Sequence, residues 1–222
     1  MPYSIIIPIY NEVNTLISLL KSLKRYYELG HEIIIIDDGS TDQSNLILKE
    51  CSFIKLIVLN RNHGKGIALR EGLKSSINNK TIIYDGDLEL ETNNILKLMI
   101  LNKKGKIHSV LGIRFKRFRP FKSGVDWGNF IFAMFLNSLQ RTSYRDVLCC
   151  AKSFYKTDIP LKKLKSQGFD IDIEMTIFLT KSDPNKNIKQ VLLNYNRRSF
   201  AEGKKLKISD GWIILRRILF SF

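Results

Sequence analysis

Four short apolar runs within the first ninety residues, each ended by a polar or acidic cluster, limit what this chain can fold into. Ser4–Ile9 runs into Tyr10-Asn11-Glu12, and Glu32–Ile36 into Asp37-Asp38-Gly39-Ser40-Thr41-Asp42. Ile54–Leu59 is followed by the loop Asn60–Gly66, and Ile82-Ile83-Tyr84 by Asp85-Gly86-Asp87. Runs that are apolar on both faces are the mark of buried parallel strands. Between them lie helical periods. Val13, Leu16, Ile17, Leu20 and Leu23 recur at helical spacing behind a cap at Asn11 or Asn14, with Gly30 as the stop. A short helix is expected over Asp42–Cys51, and a longer one carrying Ile67, Leu69, Leu73 and Ile77. Alternation of this kind predicts an α/β fold with a largely parallel central sheet flanked by helices. In such sheets ligands sit outside the carboxyl ends of the strands, where all four polar clusters fall.

Asp85 and Asp87 are two residues apart, so in extended backbone they point to the same side and can converge on one cation. Gly86 between them leaves room for a ligand to approach the main chain. Mg²⁺ and Mn²⁺ are commonly held by one or two carboxylates together with substrate phosphates. The same tripeptide also reads as an ordinary turn after a strand.

Beyond residue 100 the pattern loosens. Ile107–Ile113 reads as a fifth strand ending at Arg114, and Val125–Leu139 as an aromatic-rich amphipathic helix. Asp170–Leu179 reads as a helix bearing Asp172 and Glu174, and Val191–Tyr195 as a last strand. The remainder, Asn196–Phe222, is basic and then apolar. Gly64-Lys65-Gly66 lacks the spacing of a triphosphate-binding loop.

With 222 residues and a net charge of +15, the chain is long enough for a substantial core and biased toward anionic partners. Nucleic acid, an anionic membrane surface and phosphorylated substrates all fit that charge. Three cysteines, Cys51, Cys149 and Cys150, form neither a paired framework nor a zinc spacing. A reduced, cytoplasmic protein is expected, without a signal peptide or a membrane span. Phe115, Phe118 and Phe121 among five basic residues, the 125–139 segment and the apolar tail after Trp212 suggest attachment at the cytoplasmic face of a membrane.

The four motifs Ile7-Pro8-Ile9-Tyr10-Asn11-Glu12, Ile36–Asp42, Asn62-His63-Gly64-Lys65-Gly66 and Asp85-Gly86-Asp87, in this order, resemble those of family 2 glycosyltransferases. These enzymes have the nucleotide-sugar-binding GT-A fold, and the dolichyl-phosphate mannosyltransferase-like subgroup is the most similar. Asp146–Lys152, Gly168–Glu174 and Tyr195–Arg198 with Glu202–Lys205 extend the resemblance over residues 3 to 215. It departs at Cys150 and Ala151, where the subgroup has Gly-Phe, and at Glu89, a position often filled by Gln or a small polar residue. The long membrane anchors of some relatives are absent from this sequence.

The resemblance implies a single GT-A domain over 1–222, with 196–222 a basic and apolar extension associated with a membrane. It implies that Pro8, Tyr10, Glu12, Ile36 and Asp38 surround the base and ribose. Asp85, Gly86 and Asp87 would contact the donor, and Asp85, Asp87 and Glu89 would hold Mg²⁺ or Mn²⁺. Arg114, Arg198 and Lys204 would reach the phosphates. Asp87, Asp146 and Glu174 are the catalytic candidates, the last two as bases for a sugar-hydroxyl acceptor. The expected reaction moves a hexose from a nucleotide diphosphate sugar to a polyprenyl (dolichyl) phosphate or a glycan. The expected partners are that donor, that acceptor and an anionic membrane surface, with room for a homo-oligomer or a separate membrane subunit. Two other classes fit parts of the sequence. A nucleotidyltransferase also uses paired carboxylates on an α/β fold, but needs a glycine-rich loop where this chain has Pro8-Ile9-Tyr10. A nucleic-acid-binding module would explain the charge, but the aromatic-basic patterns of RNA-binding folds are missing.

Overall fold

The computed structural model describes residues 1–116, 124–183, 185, 187–198 and 208–220. Strands β1 (Ser4–Ile9), β2 (Glu32–Asp37), β3 (Lys55–Val58) and β4 (Lys80–Ile83) alternate with helices α1 (Val13–Glu28), α2 (Ser44–Lys49) and α3 (Lys65–Ser75). Then come α4 (Asn94–Leu98), β5 (Ser109–Ile113), α5 (Gly124–Gln140), β6 (Lys152–Tyr155), α6 (Ile171–Ser182), β7 (Ile188–Leu192) and α7 (Ile208–Phe220). The seven strands make one sheet in the order β3-β2-β1-β4-β6-β5-β7. β6 runs antiparallel to both of its neighbours, and every other pairing is parallel.

Side-chain alternation along β1 and β2 divides the core into two layers. Ile5, Ile7, Ile9, Ile33 and Ile35 face α1, whereas Ile6, Ile34 and Ile36 face α3 and the second half of the chain. Along Ile5–Ile7 and Ile33–Ile36 both faces are apolar and buried, which is why these strands read as unbroken isoleucine runs. The α1 pattern is shifted from the expected one: Leu16, Leu19, Leu20, Leu23 and Tyr26 are buried, while Ile17 is 67% exposed. Asn11 does not cap α1. It takes a positive φ of 51° and its side chain bonds Thr41, lacing the loop after β1 to the loop after β2.

Several elements differ from the sequence reading, and Ile77, expected on the third helix, lies beyond the end of α3 and is exposed. β7 begins three residues before the expected Val191, and Tyr195 instead makes an isolated bridge to Leu90. α4 and β6 carried no signal: α4 is five residues long, and the four-residue β6 opens on the buried Lys152. α7 is a thirteen-residue helix whose Ile214 and Ile218 join the core beside α5 and α6.

Two glycines explain their own presence by packing. Gly66 opens α3 against the segment before α6, its N–H donating to the Gln167 carbonyl at 2.7 Å, and a Cβ there would overlap the Ser166 carbonyl oxygen. Gly86 turns its Cα toward β1, where a Cβ would stand 2.7 Å from Ile9 Cγ2. That corrects the expectation that Gly86 is small to admit a ligand; it is small so that the acidic loop can lie on β1.

Gly66→Ala is expected to lower the thermal midpoint. Overpacking costs typically about 1–3 kcal/mol, and about 2–4 °C follows per kcal/mol at this size. An unchanged midpoint by calorimetry would refute the close backbone contact.

Candidate active site

A cavity of about 430 Å³ opens at the carboxyl ends of β1, β2, β4 and β5. The loop after β1 supplies Pro8, Tyr10 and Glu12, that after β2 supplies Asp38, and that after β4 supplies Asp85, Gly86, Asp87 and Glu89. Arg114 enters from the end of β5, Arg198 from beyond β7, and Ile214 from α7. The topology explains the convergence: parallel strands share one carboxyl edge, so four loops distant in sequence meet there.

The charges in this cavity are mostly tied to one another. The Lys65 ammonium lies 2.8 Å from Asp85 and 2.9 Å from Asp172, over the Phe169 ring. Burial alone would lower the Lys65 pKa, but the two carboxylates hold it well above the ordinary lysine value. Burial likewise works against the charge of Asp85, and the adjacent Lys65 overcomes it, leaving that carboxyl below its usual range. Because the Lys65 ammonium already spans two carboxylates, it is not the phosphate-seeking lysine of a triphosphate loop.

Arg114 donates through Nε and Nη2 to both oxygens of Asp146 at 2.8 Å, and its guanidinium lies 5.7 and 5.6 Å from the centroids of the Phe115 and Tyr195 rings, which themselves meet edge to face. Arg198 donates to Glu12 at 2.9 Å, and its backbone N–H donates to the Glu89 carboxylate at 3.0 Å. Asp38 accepts the N–H groups of His63 and Gly64, one on each oxygen, both at 2.8 Å. Burial still pushes its carboxyl up.

Asp87 differs from these. Among the described residues it makes no ion pair, and it accepts the Glu89 backbone N–H at 3.0 Å. Burial, then the neighbouring Asp85, push its carboxyl up to about 7, with Glu89 adding to the effect. An unpaired carboxylate crowded by two others is a place where a cation is electrostatically welcome, so Asp87 with Asp85 beside it fits a cation shared with a diphosphate. The three-carboxylate set including Glu89 does not assemble: among the described residues no group of three metal-ligating side chains is close enough, and Glu89 is engaged by Arg198.

Other sequence candidates fall elsewhere. Ile36 is wholly buried on the opposite face of β2, packed toward α3 near Gly72, and lies outside the cavity. Glu174 points away from the cavity, accepting the N–H groups of Lys165 and Ser166 and pairing with Arg217. The fully paired Asp146 reaches the cavity through Arg114 rather than directly. Lys204 lies outside the described residues. Sequence reasoning missed Asp172 as a site residue. It stands two positions before Glu174 on α6, and residues two apart on a helix do not share a face. Cys150, where the resemblance departs, is buried, and its thiol adds to the groups that keep the Asp85 carboxyl ionised.

Residues 4–158 match the family model described as Glycosyl transferase family 2. The chain is 27% identical over 217 residues to glycosyltransferase AglJ of Haloferax volcanii, a match spanning 95% of this chain and 68% of that protein. It is 35% identical over 120 residues to the undecaprenyl-phosphate 4-deoxy-4-formamido-L-arabinose transferase of Proteus mirabilis, spanning 50% of this chain but 36% of that protein. The chain thus spans little more than a third of the length of that relative. Among solved structures, glucosyl-3-phosphoglycerate synthase of Mycobacterium tuberculosis in complex with uridine diphosphate superposes with a TM-score of 0.74 at 17% identity. That match covers 98% of this chain and 77% of that one, and it shows a shared fold. With well over half of its length inside the family match, this chain belongs to glycosyl transferase family 2.

Proposed function

We propose that this glycosyltransferase moves a hexose from a nucleotide diphosphate sugar to a polyprenyl phosphate, with Mg²⁺ or Mn²⁺ at Asp85 and Asp87. The observation that carries the reading is the strand-end cavity in which Asp87, crowded by carboxylates, faces Arg114 and Arg198. The Proteus relative is named for undecaprenyl phosphate and an arabinose derivative, a five-carbon sugar, and so supports the lipid-phosphate acceptor. Solved neighbours of the fold hold UDP-glucose with Mn²⁺, which supports a nucleotide diphosphate hexose donor.

The resident cation would supply charge neutralisation to the departing diphosphate. This chain's own side chains do the rest. Tyr10 offers a ring face and Glu12 an acceptor for the nucleoside end. Arg114, aimed by Asp146, and Arg198, aimed by Glu12, present guanidinium donors to the phosphates. The acceptor oxygen bonds to the sugar's anomeric carbon as the bond from that carbon to the diphosphate oxygen breaks, and the nucleoside diphosphate leaves with that electron pair. Both residues expected as bases, Asp146 and Glu174, are locked in other contacts. A phosphate acceptor is already ionised near neutral pH and needs no base, which favours it over a sugar hydroxyl.

Three outcomes test this. A thermal-shift panel of nucleotide diphosphate sugars with and without Mn²⁺ should give a metal-dependent rise for at least one donor, and transfer to a polyprenyl phosphate should follow; no rise with any donor would end the reading. Asp87→Asn should abolish that metal-dependent rise. The same variant carries a pH signature. With a folded pKa of about 7 against an ordinary carboxylate value, neutral Asp87 favours the folded state, an advantage lost as pH rises toward and through about 7. Without metal, Asp87→Asn should therefore melt higher than the parent at pH 8 and alike near pH 4. Equal melting at both would remove Asp87 as the strained carboxylate. Third, Arg198→Gln should weaken donor binding by roughly ten- to a hundredfold, the worth of a hydrogen bond to a charged group. Calorimetric affinity equal to the parent's would place Arg198 away from the phosphates.

A further inference from the structure

The Lys65 ammonium covers both oxygens of Asp85, standing 2.8 Å from one and 3.1 Å from the other, and lies 2.9 Å from Asp172. An ammonium has three N–H groups, and these three contacts account for all of them. The lysine is also held from behind. It opens α3 between Gly64 and Gly66, where an added Cβ would overlap the Gln167 or the Ser166 carbonyl oxygen, and its side chain is 9% exposed. The buried Lys152 adds further positive potential at Asp85. The charge of Asp85 is therefore already answered from within the protein.

Asp85 is not closed off, however. It lines the cavity with 29% of its side chain exposed, and each carboxylate oxygen has a second lone pair besides the one facing the ammonium. Two residues on, Asp87 makes no ion pair among the described residues. Among the described residues, too, no three metal-ligating side chains come together. The protein alone thus offers a divalent ion one unpaired carboxylate and the open side of a paired one. Mg²⁺ keeps its waters reluctantly exchanged and is usually held by one or two carboxylates together with substrate phosphates.

We propose that Lys65 is a built-in counter-cation that withholds Asp85 from a free divalent ion, so that this site takes up Mg²⁺ or Mn²⁺ together with the donor's diphosphate and not ahead of it. The inference rests on the reading of Asp85 and Asp87 as the cation site, and adds the residue that governs its occupancy. Ammonium and metal compete for one carboxylate, and repulsion between them offsets much of what Asp85 offers the ion. A diphosphate shifts that balance, because it brings its own negative charge and its own oxygen ligands. Asp172 belongs to the same device. By sharing the ammonium it keeps Lys65 from resting on Asp85 alone, which leaves Asp85 enough charge to join the ion once the diphosphate is present.

Equilibrium dialysis of Mn²⁺ against the full chain tests this, with no nucleotide, with uridine diphosphate or with guanosine diphosphate in both chambers. The parent should retain Mn²⁺ far more tightly with one of the diphosphates than without. Lys65→Met alone leaves two buried carboxylates unanswered, so the decisive variant is Lys65→Met/Asp172→Asn, first checked for a cooperative melt. It removes one cation and one anion, so the net charge of the cluster is unchanged. Without nucleotide it should bind Mn²⁺ at least about fivefold tighter than the parent, the worth of one unit charge about 4 Å away even in bulk water. Adding Asp87→Asn should abolish that gain. Asp172→Asn alone keeps the ammonium and carries the test independently: it should bind Mn²⁺ no better than the parent without nucleotide, and more weakly with it. Equal affinity of the parent with and without diphosphate overturns the proposal. So does a double variant no tighter than the parent, a gain that survives Asp87→Asn, or tighter nucleotide-free binding by Asp172→Asn. In each of these cases Mn²⁺ retained with diphosphate leaves the donor site standing. A double variant that gains Mn²⁺ while the parent retains none with either diphosphate upholds Lys65 as the counter-cation and counts against the donor reading instead. No Mn²⁺ on any of the proteins under any condition overturns both.

Discussion

The Lys65 ammonium, clasped by Asp85 and Asp172, ties together three parts of the molecule that the sheet alone does not join. Asp85 ends the run out of β4, Lys65 begins α3, and Asp172 sits in the first turn of α6. Breaking one partner of such a buried pair is costly, typically about 3–5 kcal/mol, because a charge is left without compensation. Its larger effect is on register. With Lys65 fixed from both sides, and Gly66 pressed on Gln167, the helix after the third polar loop can enter the site at only one height. Asp38 then finds the His63 and Gly64 N–H groups in place, so the Asp38 side of the cavity inherits its shape from the same clasp.

Much of the fold was legible because the informative strands are buried on both faces. Ile5–Ile7 and Ile33–Ile36 can do nothing else in water, and the loops that end them had to fall on one edge. Face was not legible. Ile36 lies in a run where every residue is apolar, so the letters carry no parity and only the packing against α3 assigns its side. On α6 the helix was expected, but not its rotation: Asp172 and Glu174 are alike in sequence and opposite in the structure. β6 was missed because its first residue is a lysine. Its ammonium is buried, donating to the Cys149 carbonyl, a solution that composition does not advertise.

The site candidates divide along a similar line. Residues that the motifs placed at strand ends, Pro8, Tyr10, Glu12, Asp38, Asp85, Asp87 and Arg114, all line the cavity. Those whose role depended on a partner changed meaning. Asp146 turned from a candidate base into the group that holds Arg114, and Glu89 from a ligand into an acceptor for the Arg198 backbone. A carboxylate's job is set by what stands opposite it, and that partner is often a hundred residues away.

The last of these contacts bears on the order in which the molecule comes together. Residues 194–198 lie along 89–91: Leu90 bridges Tyr195, Asn196 N–H donates to the Glu89 carbonyl, and Arg198 reaches Glu89 from 109 positions downstream. Closing so long a loop costs chain entropy that the nearby β1–α1–β2 unit does not pay. The β1–α1–β2 unit can therefore form from local contacts, while the acidic end of the cavity stays open until the chain returns from β7. A folding probe at Tyr195 would thus report the closing of that end.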